Sequence, residues 1–181
     1  MHHFIIKSNQ SQQIIITKSG DYTITLAGEG AHAEILSAHH LTGAESIDIN
    51  LTIVHAATHT SADTVIRAVL DDQSIANIQG TIIVEKDAQQ TNSYLQENIL
   101  MLSDKARANA IPNLEIHADD VKCSHAATVG KIPDEHLFYL QSRGIPENKA
   151  KKLIADGFLA EVTNREKPIS RSAIKYFIIH L

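Results

Sequence analysis

Residues 47–54 read IDINLTIV, and their alternation of apolar and polar residues is the strongest structural signal in the chain. Successive side chains of an extended strand point to opposite faces, so Ile47, Ile49, Leu51 and Ile53 would share one face. A period of two predicts a half-buried β-strand rather than a helix. We therefore expect this stretch to be a strand with one face in the core.

The first two-thirds of the chain contains further short runs of the same kind. They are rich in Ile, Val and Thr, which suit a pleated, half-buried surface, and include IIIT (14–17), YTITL (22–26), DTVIRAVL (63–70) and TIIVE (81–85). Short polar turns separate them. A Greek-key sandwich and a coiled stack of rungs both produce such a pattern. The recurring order of strand, turn and strand favours the stack, although no repeat of fixed length is visible.

The character of the sequence changes at Pro133, which suits the first turn of a helix. Gly144 is expected to end that helix, and Pro146 to open a second one. Gly157 is interpreted as a point where another backbone comes close. The sequence thus predicts a helical hairpin after the β-part. The second helix would bury one apolar stripe, formed by Ala150, Leu153, Ile154, Phe158 and Val162.

The composition narrows the class of protein. The chain has 181 residues, a net charge of −5 and 43% hydrophobic residues, which suits one domain or one domain with a small appendage. Its acidic balance argues against non-specific nucleic-acid binding. No apolar stretch is long enough to span a membrane, and the first residues do not resemble a secretory signal. With a single cysteine and no intrachain disulfide, the chain is expected to be cytoplasmic.

Cys123 and His125 form the most informative pair of candidate ligands. On a strand, positions i and i+2 face the same way, and thiolate and imidazole both bind zinc and iron. Two ligands cannot close a tetrahedral site, so a partner or a substrate would have to supply the others. The alternative interpretation is that Cys123 is a packed core residue, because free cysteine is among the most buried residue types.

Other sequence patterns point to ordinary structural roles. Five histidines lie between residues 32 and 59, and we interpret them as scattered surface residues rather than as a metal site. The segment 28–33 matches G-x-G-x-x-A, but a turn explains its glycines better than a dinucleotide loop does. Asp119 and Asp120 are interpreted as a polar turn. No phosphate-binding loop and no G-x-S-x-G nucleophile motif is present, so no catalytic residue is assigned.

Residues 69–162 resemble the SufB/SufD family of iron–sulfur cluster assembly proteins. Two long and unusual stretches carry the resemblance: PNLEIHADDVKCSHAATVG (112–130) and FYLQSRGI (138–145). The resemblance implies a mainly β fold, a right-handed parallel β-helix followed by a small C-terminal α-helical domain. Family proteins are usually more than twice as long as this chain.

The resemblance also implies partners and a site. Family members pair through their β-helices, as SufB–SufD heterodimers or as homodimers, and their C-terminal helices bind SufC, an ABC-type ATPase. Cys123 and His125 match the SufD residues implicated at the dimer interface, where iron or a transient cluster would be bound. Two features typical of SufB are missing, a cysteine at the position of Ala106 and acidic residues on both sides of His125, so the chain is more similar to SufD.

These observations predict a non-enzymatic, SufD-like protein with three parts. Residues 1–130 would form the β-helix and residues 131–167 the helical domain, while residues 168–181, which could be a strand or a short helix, are left unassigned. The residues expected to contact the ATPase are Tyr139, Arg143, Gly144 and Ile145. Two alternatives remain: a homodimeric structural or zinc-binding β-helix protein, or a β-helix enzyme acting on polysaccharides, which would need carboxylates and basic residues along one groove.

Overall fold

Ten strands follow one another along the chain before the first helix begins. The computed structural model of the protein describes residues 1–166. The strands are β1 (His2–Ile6), β2 (Ser11–Ile15), β3 (Gly20–Leu26), β4 (His32–Leu41), β5 (Ser46–His55), β6 (Ser61–Leu70), β7 (Ile75–Val84), β8 (Asn92–Met101), β9 (Arg107–Ile116) and β10 (Lys122–Lys131).

The strands form two parallel sheets, and the chain passes from one to the other at each turn. Sheet A has the order β1-β3-β5-β7-β9, and sheet B has the order β2-β4-β6-β8-β10. Every pairing is parallel, which excludes the Greek-key sandwich. The chain therefore coils as a parallel β-helix, as predicted. We call β9 and β10 together the last rung.

The register explains why no fixed repeat is visible in the sequence. Ser46 of β5 pairs with Ile75 of β7, an offset of 29 residues, whereas Ile75 pairs with Arg107 of β9, an offset of 32 residues. The turns between strands absorb the difference. Each rung keeps the same inward and outward positions while its loops vary in length.

The core lies between the two sheets. The predicted inward residues of β5, from Ile47 to Ile53, are at most 4% exposed, and Leu51 and Ile53 are fully buried. Burying one such side chain contributes roughly 1.5–3 kcal/mol. Ile24 and Leu26 of β3 lie in the same core and are also fully buried. The alternation of period two is thus confirmed as the pattern that fills the interior.

In the described part of the chain, two helices follow the β-helix: α1 (Asp134–Ser142) and α2 (Glu147–Thr163). Pro133 and Pro146 stand immediately before them, and Gly144 has a φ of 81°, so the predicted helical hairpin is confirmed. Two details of the prediction are wrong. Leu153 is 54% exposed rather than part of the buried stripe, and nothing lies near the position that a Cβ on Gly157 would occupy.

Helix α2 covers the outer face of sheet B. Its Val162 packs against Leu36 and Val65, and its Ala155 lies in a second cluster with Val69. Two arginines hold the helix and the residues after it in place. Arg67 donates a 2.7 Å hydrogen bond to the carbonyl oxygen of Phe158 and pairs with Glu161, and Arg165 pairs with Glu34 and Asp63.

The predicted boundary near residue 130 falls at the end of β10, but the division into two domains stays a prediction because α2 shares buried surface with sheet B. Residues 168–181, for which a strand and a short helix were both considered, lie outside the described part of the chain. Within residues 1–166, neither helix is long and apolar enough to cross a bilayer.

Candidate functional site

The last rung leaves one end of the β-helix open. Strand β9 pairs with β7 and β10 pairs with β8, and within residues 1–166 no strand pairs with their other edges. Four apolar residues of this rung are 37–44% exposed: Ile111, Leu114, Ile116 and Val129. Unpaired backbone groups beside exposed apolar side chains favour association with another strand.

Cys123 lies on β10, beside Ser93 of β8, and points toward the interior. Its side chain is partly buried and packs against the main core. Burial raises the pKa of the Cys123 thiol, and the backbone of Ser93 offsets this only in part. The thiol is therefore protonated in the isolated chain, and a cation would be needed to favour the thiolate that binds metals.

His125 lies two positions further along β10, beside Leu95. Leu95 is fully buried, but His125 is exposed because no further rung within residues 1–166 covers it. The structure thus brings both predicted ligands to one strand, one at the edge of the core and the other in the open end. No group of three His, Cys, Asp or Glu residues in the described chain could hold a metal ion.

His55 is a buried neighbour of this site that sequence reasoning missed. Its Nδ1 lies 2.8 Å from the Thr60 hydroxyl and its Nε2 lies 3.0 Å from the Ser93 hydroxyl. Burial lowers the pKa of His55 to about 4, so the ring is neutral at pH 7. Ser93 of β8 also pairs with Cys123 of β10. The hydrogen-bonded groups around His55 therefore extend to the strand position next to the candidate ligand.

The expectation that the histidines between residues 32 and 59 are all on the surface is therefore wrong. His55 is fully buried and His39 is 8% exposed. His39 faces the interior beside Ser37, whose hydroxyl lies 2.7 Å from its Nε2, and burial lowers its pKa to about 4. A serine or threonine near each histidine in the sequence could have indicated a buried, hydrogen-bonded ring. Only the strand register shows which of these hydroxyl groups lie beside the ring.

The glycines of segment 28–33 lie in the turn between β3 and β4, as expected. A strand rather than a helix follows them, so the helix N-terminus that a dinucleotide loop needs is missing here. Gly30 has a φ of 69°, and a Cβ on Gly28 would overlap the backbone of Ser8. These glycines permit a tight turn against the preceding rung.

The α1 helix presents the residues predicted to contact a partner. None of its side chains is buried, and Phe138 and Tyr139 are 73% and 58% exposed. The Arg143 guanidinium lies 5.2 Å from the centre of the Tyr139 ring. Gly144 and the partly buried Ile145 form the turn that leads to α2. Exposed aromatic residues beside an arginine are common anchors in protein interfaces.

A cleft of about 420 Å³ lies on the outer face of sheet A. Its two carboxylates, Asp21 and Asp48, accept hydrogen bonds from Asn50 and Asn77 at 3.2 and 2.7 Å. Its lining, within the described residues, includes no Lys, Arg or His. The basic residues that a polysaccharide-cleaving site would need are therefore missing from this cleft.

A family model described as "SUF system FeS cluster assembly, SufBD core domain" matches residues 14–158. The chain belongs to the SufBD family. An iron-sulfur cluster assembly SufBD family protein of Synechocystis sp. is 34% identical over 142 residues, which are 78% of this chain and 31% of the relative. The iron-sulfur cluster assembly protein SufD of Bacillus subtilis is 35% identical over 147 residues, 81% of this chain and 33% of that one.

Within the SufBD family the chain is SufD-like. The SufD protein of Escherichia coli is 43% identical over 97 residues, which are 54% of this chain and 23% of the relative. The chain spans about a third or less of the length of these three relatives. The SufBD match includes the last rung, α1 and most of α2.

Proposed function

We propose that this SufD-like chain is a non-enzymatic subunit in iron–sulfur cluster assembly, acting in the cytoplasm. It would pair through its last rung with a SufB-like subunit or with a second copy of itself, and bind the SufC ATPase through its helices. One observation carries this proposal: the SufBD core match covers an open rung on which Cys123 and His125 lie together.

Pairing at the last rung is supported by its exposed apolar residues and by its outer edges, with which no strand of the described chain pairs. A strand added from another subunit would satisfy the free backbone groups of β9 and β10. It would also cover Leu114 and Val129, which are 37% and 44% exposed. The interior of one β-helix would then continue into that of the other.

Pairing would also complete the set of ligands. Cys123 and His125 provide one sulfur and one nitrogen, and two copies of the chain would provide two of each, the number that a tetrahedral site needs. In an isologous dimer both copies use the same surface, so the two pairs of ligands would meet near the axis. Iron or a nascent cluster would be cargo at this interface, and its charge would displace the proton of Cys123.

Docking of the ATPase is supported by α1, whose aromatic residues have no core to fill. Phe138 and Tyr139 are largely exposed, and Arg143 already stacks on Tyr139. The chain has no phosphate-binding loop, so ATP would act through the partner. Rearrangement of that partner would shift the helices and expose or cover the interface.

A first experiment tests the assembly. The purified chain is mixed with SufB and SufC homologues from the same source and the mixture is separated by size. Co-elution with both is expected. Elution of the chain apart from both homologues, at concentrations where they bind each other, would contradict the proposal.

A second experiment tests the cargo. Protein purified anaerobically from cells is analysed for iron, sulfide and zinc, together with His125→Ala and a control, His117→Ala, that changes another exposed histidine of the same end. Iron and sulfide that fall at least several-fold in His125→Ala alone, with thermal stability unchanged, are expected. Stoichiometric zinc would favour the zinc-binding alternative, and a loss of stability with unchanged metal would indicate a packing role for His125.

A further inference from the structure

Glu97 of β8 is a buried carboxylic acid that the proposed function does not use. Its side chain is fully buried, and neither carboxylate oxygen makes a well-directed hydrogen bond within residues 1–166. Leaving such a group without partners is costly, and more so when the group is charged. The hydroxyl of Thr64, which lies beside Leu95 on the neighbouring strand, is also buried without a partner.

Gly80 of β7 provides the space that Glu97 occupies. A Cβ built on Gly80 would clash with the Oε1 atom of Glu97 and lie 2.5 Å from the Cδ2 atom of Leu95. The carboxyl group therefore reaches across the interior from sheet B to sheet A. We call this space the Gly80 niche, and it places the acid where strands β7 and β8 face each other.

Among the described residues, only the last rung separates the niche from the open end. Ala127 of β10 pairs with Glu97, and Pro112 of β9 pairs with Gly80. Ala127 is small and Pro112 has no N–H group to donate, so neither residue compensates the acid. Every residue of β9 and β10 is half-buried or exposed, whereas the inward residues of β7 and, apart from Met101, those of β8 are buried.

Several other ionisable groups share the interior. From β4 and β5, His39 and His55 face inward and are neutral at pH 7, because burial lowers the pKa of each to about 4. From β10, Cys123 and the exposed His125 face inward. Strands β6, β7 and β9 place no charged side chain next to Glu97: its neighbours there are Ile66, Gly80 and Pro112.

We propose that Glu97 makes the last rung a proton-sensitive lid: the neutral acid allows β9 and β10 to close over the niche, and its ionisation favours their opening to water. Burial raises the pKa of Glu97 from 4.5 to about 7, and the backbone N–H of Gly80 offsets this only in part. Opening restores a carboxylate in water, with an ordinary pKa. The closed lid therefore holds a proton that the open lid releases, and opening becomes easier as the pH rises from 4.5 to about 7.

Hydrogen exchange followed by mass spectrometry tests this idea on the full chain. Protection factors, corrected for the effect of pH on chemical exchange, are compared at pH 5 and pH 8 for peptides covering 122–131 and, as an internal reference, 47–55. For the last rung of the wild type, a fall on the order of 10²-fold is expected, since the acid moves between pKa values of 4.5 and about 7. Strand β5, which lies in the middle of the β-helix, should be more strongly protected than the last rung at both pH values.

The variant Glu97→Gln keeps the shape of the side chain and cannot ionise, so its last rung should change less than about three-fold between the two pH values. Glu85→Gln, which removes an exposed carboxylate, should behave as the wild type does. If Glu97→Gln does not fold, Glu97→Met is judged by the same criterion. The same pH dependence of the last rung in the wild type and in Glu97→Gln would overturn the proposal. Protection factors of the last rung equal to those of β5 at both pH values would also overturn it, because the rung would then open only when the whole chain unfolds.

Discussion

The guanidinium of Arg67 on β6 lies 4.7 Å from the centre of the Phe158 ring on α2 and donates a hydrogen bond to the carbonyl oxygen of the same residue. Only 12% of the Arg67 side chain is exposed. The contact joins the β-helix to the helices that would carry the ATPase. Together with the apolar packing of Val162 and Ala155, this contact holds those helices on sheet B.

Replacing Arg67 with Met should loosen α2 from sheet B. The change removes a charge-assisted hydrogen bond and a cation–π contact while keeping most of the apolar stem, and we expect a loss of about 2 kcal/mol in the free energy of unfolding. Glu161 is about half exposed, so its pairing with Arg67 adds little to that figure. Urea denaturation measures the loss, with Lys152→Met on the exposed side of α2 as the control. Equal stability of both variants would contradict the role of Arg67.

Replacing Val129 with Asp should weaken association at the last rung without unfolding the chain. Val129 is 44% exposed and faces the open end, so a carboxylate there remains hydrated in the monomer. In a dimer the two copies, or the chain and its partner, would bury that charge. We expect at least a ten-fold increase in the dissociation constant, measured by analytical ultracentrifugation.

The matched control for Val129→Asp is Leu153→Asp, which places the same charge on an exposed apolar residue of α2. Association through the last rung predicts that only the Val129 variant dissociates. Dissociation of the control instead would move the interface to the helices.

Replacing Phe138 or Tyr139 with Ala should reduce binding of the SufC partner and leave the chain stable. Both side chains are largely exposed and lie outside the core clusters, so little folding energy depends on them. Aromatic anchors of interfaces commonly account for 2 kcal/mol or more of binding free energy, which corresponds to a loss of about 30-fold. Calorimetry with purified SufC measures it, and unchanged affinity in both variants would place the docking surface elsewhere.

The buried His55 should make the fold less stable in acid. Its pKa is lowered to about 4 in the folded chain and is ordinary, about 6.5, in the unfolded chain, so the unfolded state binds more protons between these values. The stability that depends on neutral His55 is present above pH 6.5 and is lost as the pH falls toward 4, by up to about 3 kcal/mol.

The variant His55→Gln tests this dependence. It should flatten the loss of stability between pH 6.5 and 4, as measured by urea denaturation at several pH values. Glu97 acts in the opposite direction over part of this range, so the comparison with wild type must be made at each pH. A variant with the same slope as the wild type would assign the acid sensitivity to other groups, of which His39 is the next candidate.

The alternation in IDINLTIV was sufficient to predict that Ile47 and Ile53 lie in the core, because side-chain period depends only on the local backbone. It could not separate a sandwich from a β-helix, since both alternate in this way. The choice came from the resemblance carried by residues 112–130. Leu36 and Val65 broke the alternation because α2 buries the outer face of sheet B, which no strand pattern reveals.

For the candidate site, the sequence predicted the types of the ligand residues and not the burial of their side chains. The spacing of Cys123 and His125 indicated one shared face, whereas the half-buried thiol and the exposed ring follow from their place at the end of the β-helix. Glu97 was missed because its meaning depends on Gly80, seventeen residues earlier in the sequence and on the other sheet. That a charged residue lies opposite a glycine can be recognised only when the pairing of the strands is known.

The parallel register gives the molecule the properties of a rod assembled from interchangeable segments. Between β5 and β7 the chain advances 29 residues and, as in any sheet, about 4.8 Å along the axis. Adding or removing one such segment far from β10 changes the reach of the rod and leaves the chemistry at its tip untouched. The length of the β-helix and the surface of its last rung can therefore change independently, in evolution or by protein engineering.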